Sequence, residues 1–556
     1  MKFTKVHYVA TVAWFCLACL LSASLPQASV KAFGQDEELG RYFSKKQYVP
    51  SSLPKYEDVK ALLPSPIYDD NPLLVETYWK AWELAFKNFH EPSSRSGFVS
   101  QFIDAAFNEN IFMWDSSFMT MFCNFASPLV PGISTLDNFY ANQHEDGEIC
   151  REIVRDTGVD YWVNVKDQPL FSKGLNSQMT HIMTYIGRAI PTPNPKMLLD
   201  GLDHPIMAWA ELESYRVTGN TERLTAVWEP LVHYYGALQK YIQQGNGLYM
   251  TDWASMDNSP RNDYLNGGGT AVDISAEMAL FARQMAETAR ILGKPQEARQ
   301  FSRDAATISK NINHLMWDKD RKFYFDLKPD NRRAPVKTVA AYWTLIAHVA
   351  PADHAKDLVA ELKNPRTFGR LNAVPTLAAD QTGYDPSGGY WEGSVWAPTT
   401  TMVIRGLEAY GYDELAREMA MQHLKLVANV YKKTGTIWEN YAPDFERPGS
   451  PAKPDFVGWS GIGPIMYLLE YGIGLKPNAE HNELVWDLKS GGRRGCDHFR
   501  FNGHVVSLVA ERVPDHAGKL RITVESDGDF RLKILVHGSR KTFSVTKGKQ
   551  EFIVGS

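Results

Sequence analysis

The sequence predicts a mainly α fold, built of helical hairpins packed helix on helix, followed by a small β-sandwich-like domain at the C-terminal end. Three observations carry that expectation. From about residue 71 to 477, apolar residues recur at steps of three and four over long segments, the period of a helix with one buried face. Short glycine- or proline-bearing breakers separate those segments, which marks antiparallel helix hairpins, and no alternating strands intervene as a βαβ sheet would require. From about Asn478 the period drops to two.

In chain order, the first segment is of export type. "MKFTKVHYVATVAWFCLACLLSASLPQASVKAFG" places two lysines before an apolar run from about Tyr8 to Leu21 and small residues after it. Residues 1–32 are therefore expected to be a signal peptide, and the mature protein periplasmic or extracellular. The run is too short for a convincing membrane span, and no other segment is a candidate. Cys19 follows "CLA" rather than an aliphatic lipoprotein box, which disfavours a lipid anchor. Cys123, Cys150 and Cys496 lie beyond the signal and are too scattered for a disulfide framework or a zinc site. Residues 33–70 read as a polar, proline-bearing lead-in.

The helical body is expected over 71–477. In "DISAEMALFARQMAETARIL", Ile274, Met278, Phe281, Met285, Ala289 and Leu292 line one face. Gly293 stops that helix and Pro295 opens the next, "PQEARQFSRDAATISKNINHLMW". The same device recurs at "YRVTGNTERL", "HVAPADHAKDL" and "EAYGYDELAREM". A ring of such hairpins buries its inner helices on all sides and leaves the loops at one end to form a pocket. The segments "NENIFMWDSSF", "DGEICREI", "TDWASMDNSPR", "GGYWEGSVWAP" and "GTIWENYAP" all fall at loops or helix starts. In 478–556, Phe530, Leu532, Ile534 and Val536 alternate with mostly polar neighbours, and "KLRITVES", "KTFSV" and "QEFIV" read as further strands. This β domain is expected to support packing rather than chemistry.

Lys and Arg number 59 against 64 Asp and Glu, a formal charge of −5 without a basic cluster, which argues against nucleic acid as a partner. The 15 Trp and 25 Tyr suit a pocket that grips a ligand having apolar faces and polar edges, as sugar rings do. Hydrolysis of a glycosidic bond with inversion needs one carboxylic acid to protonate the leaving oxygen and an opposed carboxylate to activate water, roughly 6.5–9.5 Å apart. Three carboxylates sit in aromatic settings. Asp257 lies close to Trp253, Met256 and Arg261, Glu439 beside Trp438 and near Tyr441, and Glu392 between Trp391 and Trp396. Residue types do not choose among them. Asp252, Asp257 and Asp263 equally suit turns and helix caps, Glu392 and Glu439 equally suit buried arginine partners, and Trp114, Trp391 and Trp459 equally suit a core.

The joint pattern is more specific. "FNENIFMWDSSFM", "EDGEICREI", "DWASMDNSPR", "MWDKDRKFYFDL", "GGYWEGSVWAPTTTMVIRGL" and "GTIWENYAP", in that order over about 70–475, resemble the six-hairpin glycosidases of glycoside hydrolase family 63, mannosylglycerate hydrolase-like and processing α-glucosidase-like, and their trehalase relatives. The resemblance implies an (α/α)6 toroid and an inverting, exo-acting enzyme on an α-linked, glucosidic substrate. It carries the general acid onto Asp257 and the general base onto Glu439. It implies that Trp114, Asp115, Arg151, Glu152, Trp253, Arg261, Trp391, Glu392, Trp438, Tyr441 and Trp459 line the sugar pocket. One departure stands out: the family's "WRG" reads "WEG" here, so Glu392 reverses a local charge and is a rival base. No cofactor is expected, although oxygen ligands leave no spacing outside an EF-hand and calcium stays open. His144 has no assigned role.

Two other classes compete. A polysaccharide lyase on the same helical scaffold would use His144 or a tyrosine as base and Arg151 to neutralise a uronate, but the net charge of −5 and the paired carboxylates disfavour it. A carbohydrate-binding protein without catalysis has no need of two opposed carboxylates.

Overall fold

The computed structural model describes residues 38–106, 108–161, 204–251, 256–265, 267–489, 492–514, 516, 518–536 and 538–555. The expected signal peptide lies outside the described residues, as do Asp252 and Trp253.

The apolar periods become helices with caps where the breakers fall. Helices of ten or more residues among those described are α1 (Pro72–Ala85), α2 (Met113–Cys123), α3 (Met207–Thr218), α4 (Thr221–Ile242), α5 (Val272–Ile291), α6 (Pro295–Leu315), α7 (Ala352–Lys363), α8 (Ala397–Ala409) and α9 (Asp413–Thr434), with a wider π-helix at Gly463–Ile473. Gly219, at φ +66°, closes α3 in the left-handed conformation that glycine adopts without a Cβ clash. Asn220 then caps α4, its side-chain oxygen accepting from the Arg223 N–H at 2.9 Å.

Two kinds of helix alternate. On α6, Ala298, Phe301, Ala305, Ile308 and Ile312 are buried and the rest of the circumference is mostly open, so it packs by one face. On α5 the face read from the sequence is buried from Ile274 to Ala289, with Leu292 half-buried just past the helix end, and Asp273, Ser275, Glu277 and Gln284 are buried around the circumference. Helices α2, α3 and α8 and the π-helix are likewise buried almost throughout. These inner elements touch in sequence: α2 packs on α3, α3 on α5, α5 on the short helix Trp343–Ile346, that helix on α8, α8 on the turn Trp459–Ile462, and that turn on α2. The expected short hairpin pairs Trp317–Asp318 with Phe323–Tyr324.

The C-terminal region is β-rich. Strands β1 (Ser65–Tyr68), β2 (Leu475–Asn478), β3 (Glu483–Leu488), β4 (Arg494–Phe501), β5 (His504–Arg512), β6 (Lys519–Ser526), β7 (Phe530–Val536), β8 (Ser539–Val545) and β9 (Gly548–Gly555) form two sheets, ordered β1-β4-β5-β6-β9 and β8-β7-β3-β2. The sheets meet through Phe501 and Phe530, with ring centroids 5.2 Å apart, and through Phe543 and Phe552 at 4.4 Å. Phe530, Leu532, Ile534 and Val536 point inward as their alternation requires. β1 comes from the lead-in, which therefore supplies an edge strand to the C-terminal sheet. The sheets dock at the C-terminal ends of the inner helices: Asn502 N–H donates to the Val217 carbonyl at 2.7 Å, and Trp486 Nε1 to that of Ile473 at 3.0 Å. The loops carrying the carboxylates precede the N-termini of those helices, at the opposite end.

Candidate functional site

Glu439 lies in the loop between α9 and the π-helix and is 1 % exposed. Its carboxylate accepts from the Tyr390 hydroxyl at 3.2 Å and from the Lys453 backbone N–H at 2.9 Å. Its carbonyl accepts from Trp459 Nε1 at 3.1 Å and from Ser460 Oγ at 3.2 Å, so main chain and side chain are both held. Burial pushes its pKa up to about 7, although the Lys453 N–H, the Lys453 ammonium and the Tyr390 hydroxyl all favour the ionised form. Tyr390 has φ +62°, a left-handed backbone unusual for an aromatic residue, in a turn that brings its hydroxyl onto the carboxylate.

Asp257 is half-buried in a short turn whose neighbour, Asn258, fastens it to the Tyr390 segment. The Asn258 amide donates to the Gly389 carbonyl at 2.8 Å and accepts from the Trp391 N–H at 2.9 Å. The same turn is tied internally by Asn262, whose Nδ2 donates to the Met256 carbonyl at 2.8 Å and that of Asp257 at 3.2 Å. Residues 389–391 thus clamp both carboxylate-bearing loops. Glu392, half-buried, ends that turn.

The tryptophans gather. Trp114 meets Trp391 and Trp459 at centroid distances of 6.4 and 6.2 Å, Trp391 stacks on Trp396 at 4.4 Å, and Trp396 reaches Trp459 at 5.7 Å. Asp115, next to Trp114, sits in the first turn of α2, where the helix dipole favours a carboxylate. Glu152 is buried and accepts from Asn110 Nδ2 at 2.6 Å, across the short ladder that pairs Asn110–Phe112 with Glu152–Val154. Arg151, also buried, joins the start of α2 through its carbonyl, which accepts from the Met113 N–H at 2.8 Å. Trp438 is half-buried, with Nε1 on Thr434 Oγ1 at 3.0 Å. Tyr441 is fully buried in a two-way backbone ladder with Val395, and its hydroxyl accepts from the Trp438 N–H.

Arg261 is placed differently from the pocket role expected of it. Its side chain is 0 % exposed, and the guanidinium bonds Asp326 at 2.9 and 2.7 Å and Asp273 at 2.8 Å. It fastens the Asp257 turn to the start of α5 and to the Phe323–Tyr324 hairpin.

Some residues of the neighbourhood escape sequence reasoning. His204 lies 5.7 Å from the Trp114 ring and 6.1 Å from Trp343, and its Nδ1 is 2.7 Å from Glu277, whose burial raises its pKa to about 7. The signal for Glu277 was readable, a charged residue on a helix otherwise apolar or small around that turn. Tyr390 and Lys453 gave none, since their partner Glu439 lies 49 and 14 residues away. His144 is 2.6 Å from Asp160 and 3.8 Å from Glu148, with the three donor atoms within 4.8 Å of one another; this nitrogen and two oxygens are a donor set that divalent metals accept.

Residues 202–456 match the mannosylglycerate hydrolase MGH1-like glycoside hydrolase domain. A mannosylglycerate hydrolase of Rubrobacter radiotolerans is 32% identical over 140 residues, covering 24% of this chain and 30% of that protein. A periplasmic trehalase of Escherichia coli (strain SMS-3-5 / SECEC) is 26% identical over 173 residues, 31% of this chain and 29% of the trehalase. The matched stretches therefore span less than a third of these two relatives. Among solved structures, the GH63 mannosylglycerate hydrolase of Thermus thermophilus in complex with glucose superposes with a TM-score of 0.52 at 18% identity, over 70% of this chain and 98% of that one, a likeness of fold. The match across residues 202–456 takes in both the Asp257 and the Glu439 segments, and with the mannosylglycerate hydrolase and trehalase relatives it supports a glycosidase.

Proposed function

We propose that this protein is an exported, inverting, exo-acting glycosidase that cleaves an α-linked, glucosidic disaccharide, oligosaccharide or glycoconjugate without a cofactor. Asp257 is the general acid and Glu439 the general base. The Asp257 carboxylic acid gives its proton to the glycosidic oxygen as the bond from that oxygen to the anomeric carbon breaks. Glu439 takes a proton from water as the water oxygen bonds to the same carbon from the opposite face. The reaction leaves Asp257 ionised and Glu439 protonated, and exchange with solvent restores both. Trp114, Trp391 and Trp459 supply the apolar wall, and Asp115 bonds sugar hydroxyls.

The observation that carries this reading is Glu439 itself, a buried carboxylate that no arginine pairs among the described residues, held by a hydroxyl and a backbone N–H in a loop clamped to that of Asp257. An (α/α)6 toroid is proposed as the scaffold, supported by the inner elements that touch in sequence from α2 back to α2. Export is supported by the order of charge, apolar run and small residues over 1–32.

Proton NMR during the first minutes of digestion of α-linked disaccharides and aryl α-glycosides tests the reaction. The glycone should emerge as the β-anomer; first release of the α-anomer overturns inversion. The pH profile tests the assignment within it. A base must be ionised, so with Glu439 near 7 the rate kcat/KM should rise as pH climbs through about 7. A rate that instead falls through 7 makes Glu439 the acid.

A further inference from the structure

At the end of the helical body opposite the carboxylate loops, a cleft of about 490 Å³ opens between the C-terminal halves of α3, α5 and α8 and the side of α6. Its charged groups are not all matched. Arg405, half-buried, is surrounded by Glu213 at 3.1 Å, Glu408 at 3.2 Å and Glu470 at 2.8 Å. Arg283, half-buried on α5, forms no ion pair among the described residues: Nη2 donates to the His348 carbonyl at 3.1 Å, and Nε has no hydrogen-bond partner. The next residue along α5, Gln284, lines the same cleft at 7 % exposure, and its Oε1 has no hydrogen-bond partner among the described residues. A cation without a counter-ion and a buried amide without a partner each cost stability unless something fills the space.

We propose that this cleft is a second ligand site, which takes a small polyhydroxylated monocarboxylate of the sugar-acid class. Arg283 takes the carboxylate, for which its planar fork is suited. The Gln284 amide, both donor and acceptor, matches a hydroxyl. Ser302 donates to the Ala298 carbonyl at 2.6 Å and keeps lone pairs for a second hydroxyl. Trp209, Leu280 and Ile346 face the carbon chain. The volume exceeds what a six-carbon acid needs and lies within the range of small-molecule sites. Burial lowers the basicity of Arg283, and no ion pair among the described residues joins it to Glu287, the carboxylate one turn along α5 that lines the same cleft. The site is separate from the catalytic end. Gln284 lies eleven residues along α5 from Asp273, about 16 Å at 1.5 Å per residue.

Gluconate is the probe, with glucitol as its neutral counterpart, titrated calorimetrically into the full chain. Gluconate should bind saturably at one per chain and glucitol at least tenfold more weakly. Arg283→Gln should weaken gluconate at least tenfold, Gln284→Leu about threefold, and Arg283→Lys less than Arg283→Gln, while Asp257→Asn leaves the affinity unchanged. Absence of saturable binding, equal binding of glucitol, or an unaltered affinity in Arg283→Gln overturns the proposal. Loss of binding in Asp257→Asn would place the ligand at the catalytic end and also overturns it. Hydrogen exchange of the unmodified protein, which needs no variant to fold, should show gluconate slowing amides of 280–290 and 346–348; slowing confined to 256–265 and 436–457 overturns the site.

Discussion

Arg261 and Glu439 are both buried ionisable side chains in loops at the same end of the helical body, and the protein treats them in opposite ways. The Arg261 guanidinium is met by two carboxylates, Asp273 and Asp326, so its charge is compensated and it serves as a rivet. Among the described residues, the groups hydrogen-bonded to the Glu439 carboxylate are neutral, the Tyr390 hydroxyl and the Lys453 backbone N–H, and burial drives it toward the protonated form. A compensated charge is inert at neutral pH, whereas a partly compensated one near 7 can exchange a proton with substrate or water. The two side chains are linked, because Arg261 holds the turn of Asp257, and Asn258 of that turn grips the segment whose Tyr390 touches Glu439.

The comparison breaks most sharply if Glu439 is neutralised without change of shape. Glu439→Gln should lower kcat/KM by about 10³–10⁴, on the order of 4–5.5 kcal/mol, the upper range for a general base. The same change should stabilise the fold. A carboxyl raised from its ordinary 4.5 to about 7 is increasingly destabilising as pH rises between those values, and the penalty is complete above 7, about 3 kcal/mol at 1.36 kcal/mol per unit. Denaturant unfolding at pH 8 should therefore show Glu439→Gln more stable than the parent, with no difference at pH 4. Loss of both activity and stability would mean that Glu439, like Arg261, is scaffolding.

For Arg261 the expectation is reversed. Arg261→Met strands two buried carboxylates and should destabilise by about 3–5 kcal/mol, measured by urea unfolding. Replacing Asp273 and Asp326 with Leu in the same chain should recover much of that loss, since a buried ion group can be exchanged for apolar packing at little net change. If the single variant keeps its stability and instead raises KM, Arg261 is a sugar ligand after all.

His423 on α9 sharpens the contrast as a third case, an ionisable group with no compensation. It is fully buried near Tyr441 and Tyr467, neither ring nitrogen has a hydrogen-bond partner among the described residues, and burial pushes its pKa down to about 4. It is neutral in the fold, while the unfolded chain protonates it near 6.5. The stability it permits is therefore complete above 6.5 and falls as pH drops toward 4, by about 3 kcal/mol. His423→Leu should flatten that acid limb in unfolding curves taken between pH 7 and 4; an unchanged limb would show that His423 gains a partner on protonation.

These three residues also mark what the sequence could and could not disclose. The hairpin of α5 and α6 and the buried apolar face of each follow from periodicity and from Gly293 and Pro295, because a hairpin's geometry is set within about forty residues. The carboxylate loops were legible for a similar reason, each a short aromatic cluster. What was not legible is pairing at a distance. Nothing near Arg261 says that its fork is committed to Asp326, 65 residues on, and "WASMDNSPR" reads as naturally as a sugar contact. Likewise "GGYWEG" draws the eye to Glu392, while the residue that reaches Glu439 is Tyr390, two positions earlier, through a left-handed turn that composition does not reveal.

The smallest expected effect tests the link between the two carboxylate loops. The Asn258 amide is buried and spans Gly389 and Trp391 by two hydrogen bonds. Asn258→Ala leaves the Trp391 N–H and the Gly389 carbonyl without those partners and should destabilise by about 1–2 kcal/mol. A merely structural clamp would change nothing further in the enzyme that remains folded. If it positions the acid against the base, kcat should fall about tenfold beyond the folded fraction, while the pH limb near 7 stays in place, because Tyr390 and Lys453 still hold Glu439. Asn258→Asp, which keeps the acceptor for the Trp391 N–H but not the donor, separates the two bonds: a larger loss than in Asn258→Ala would show that a second carboxylate beside Asp257 disturbs the acid itself, and a smaller loss that the Trp391 bond carries the alignment.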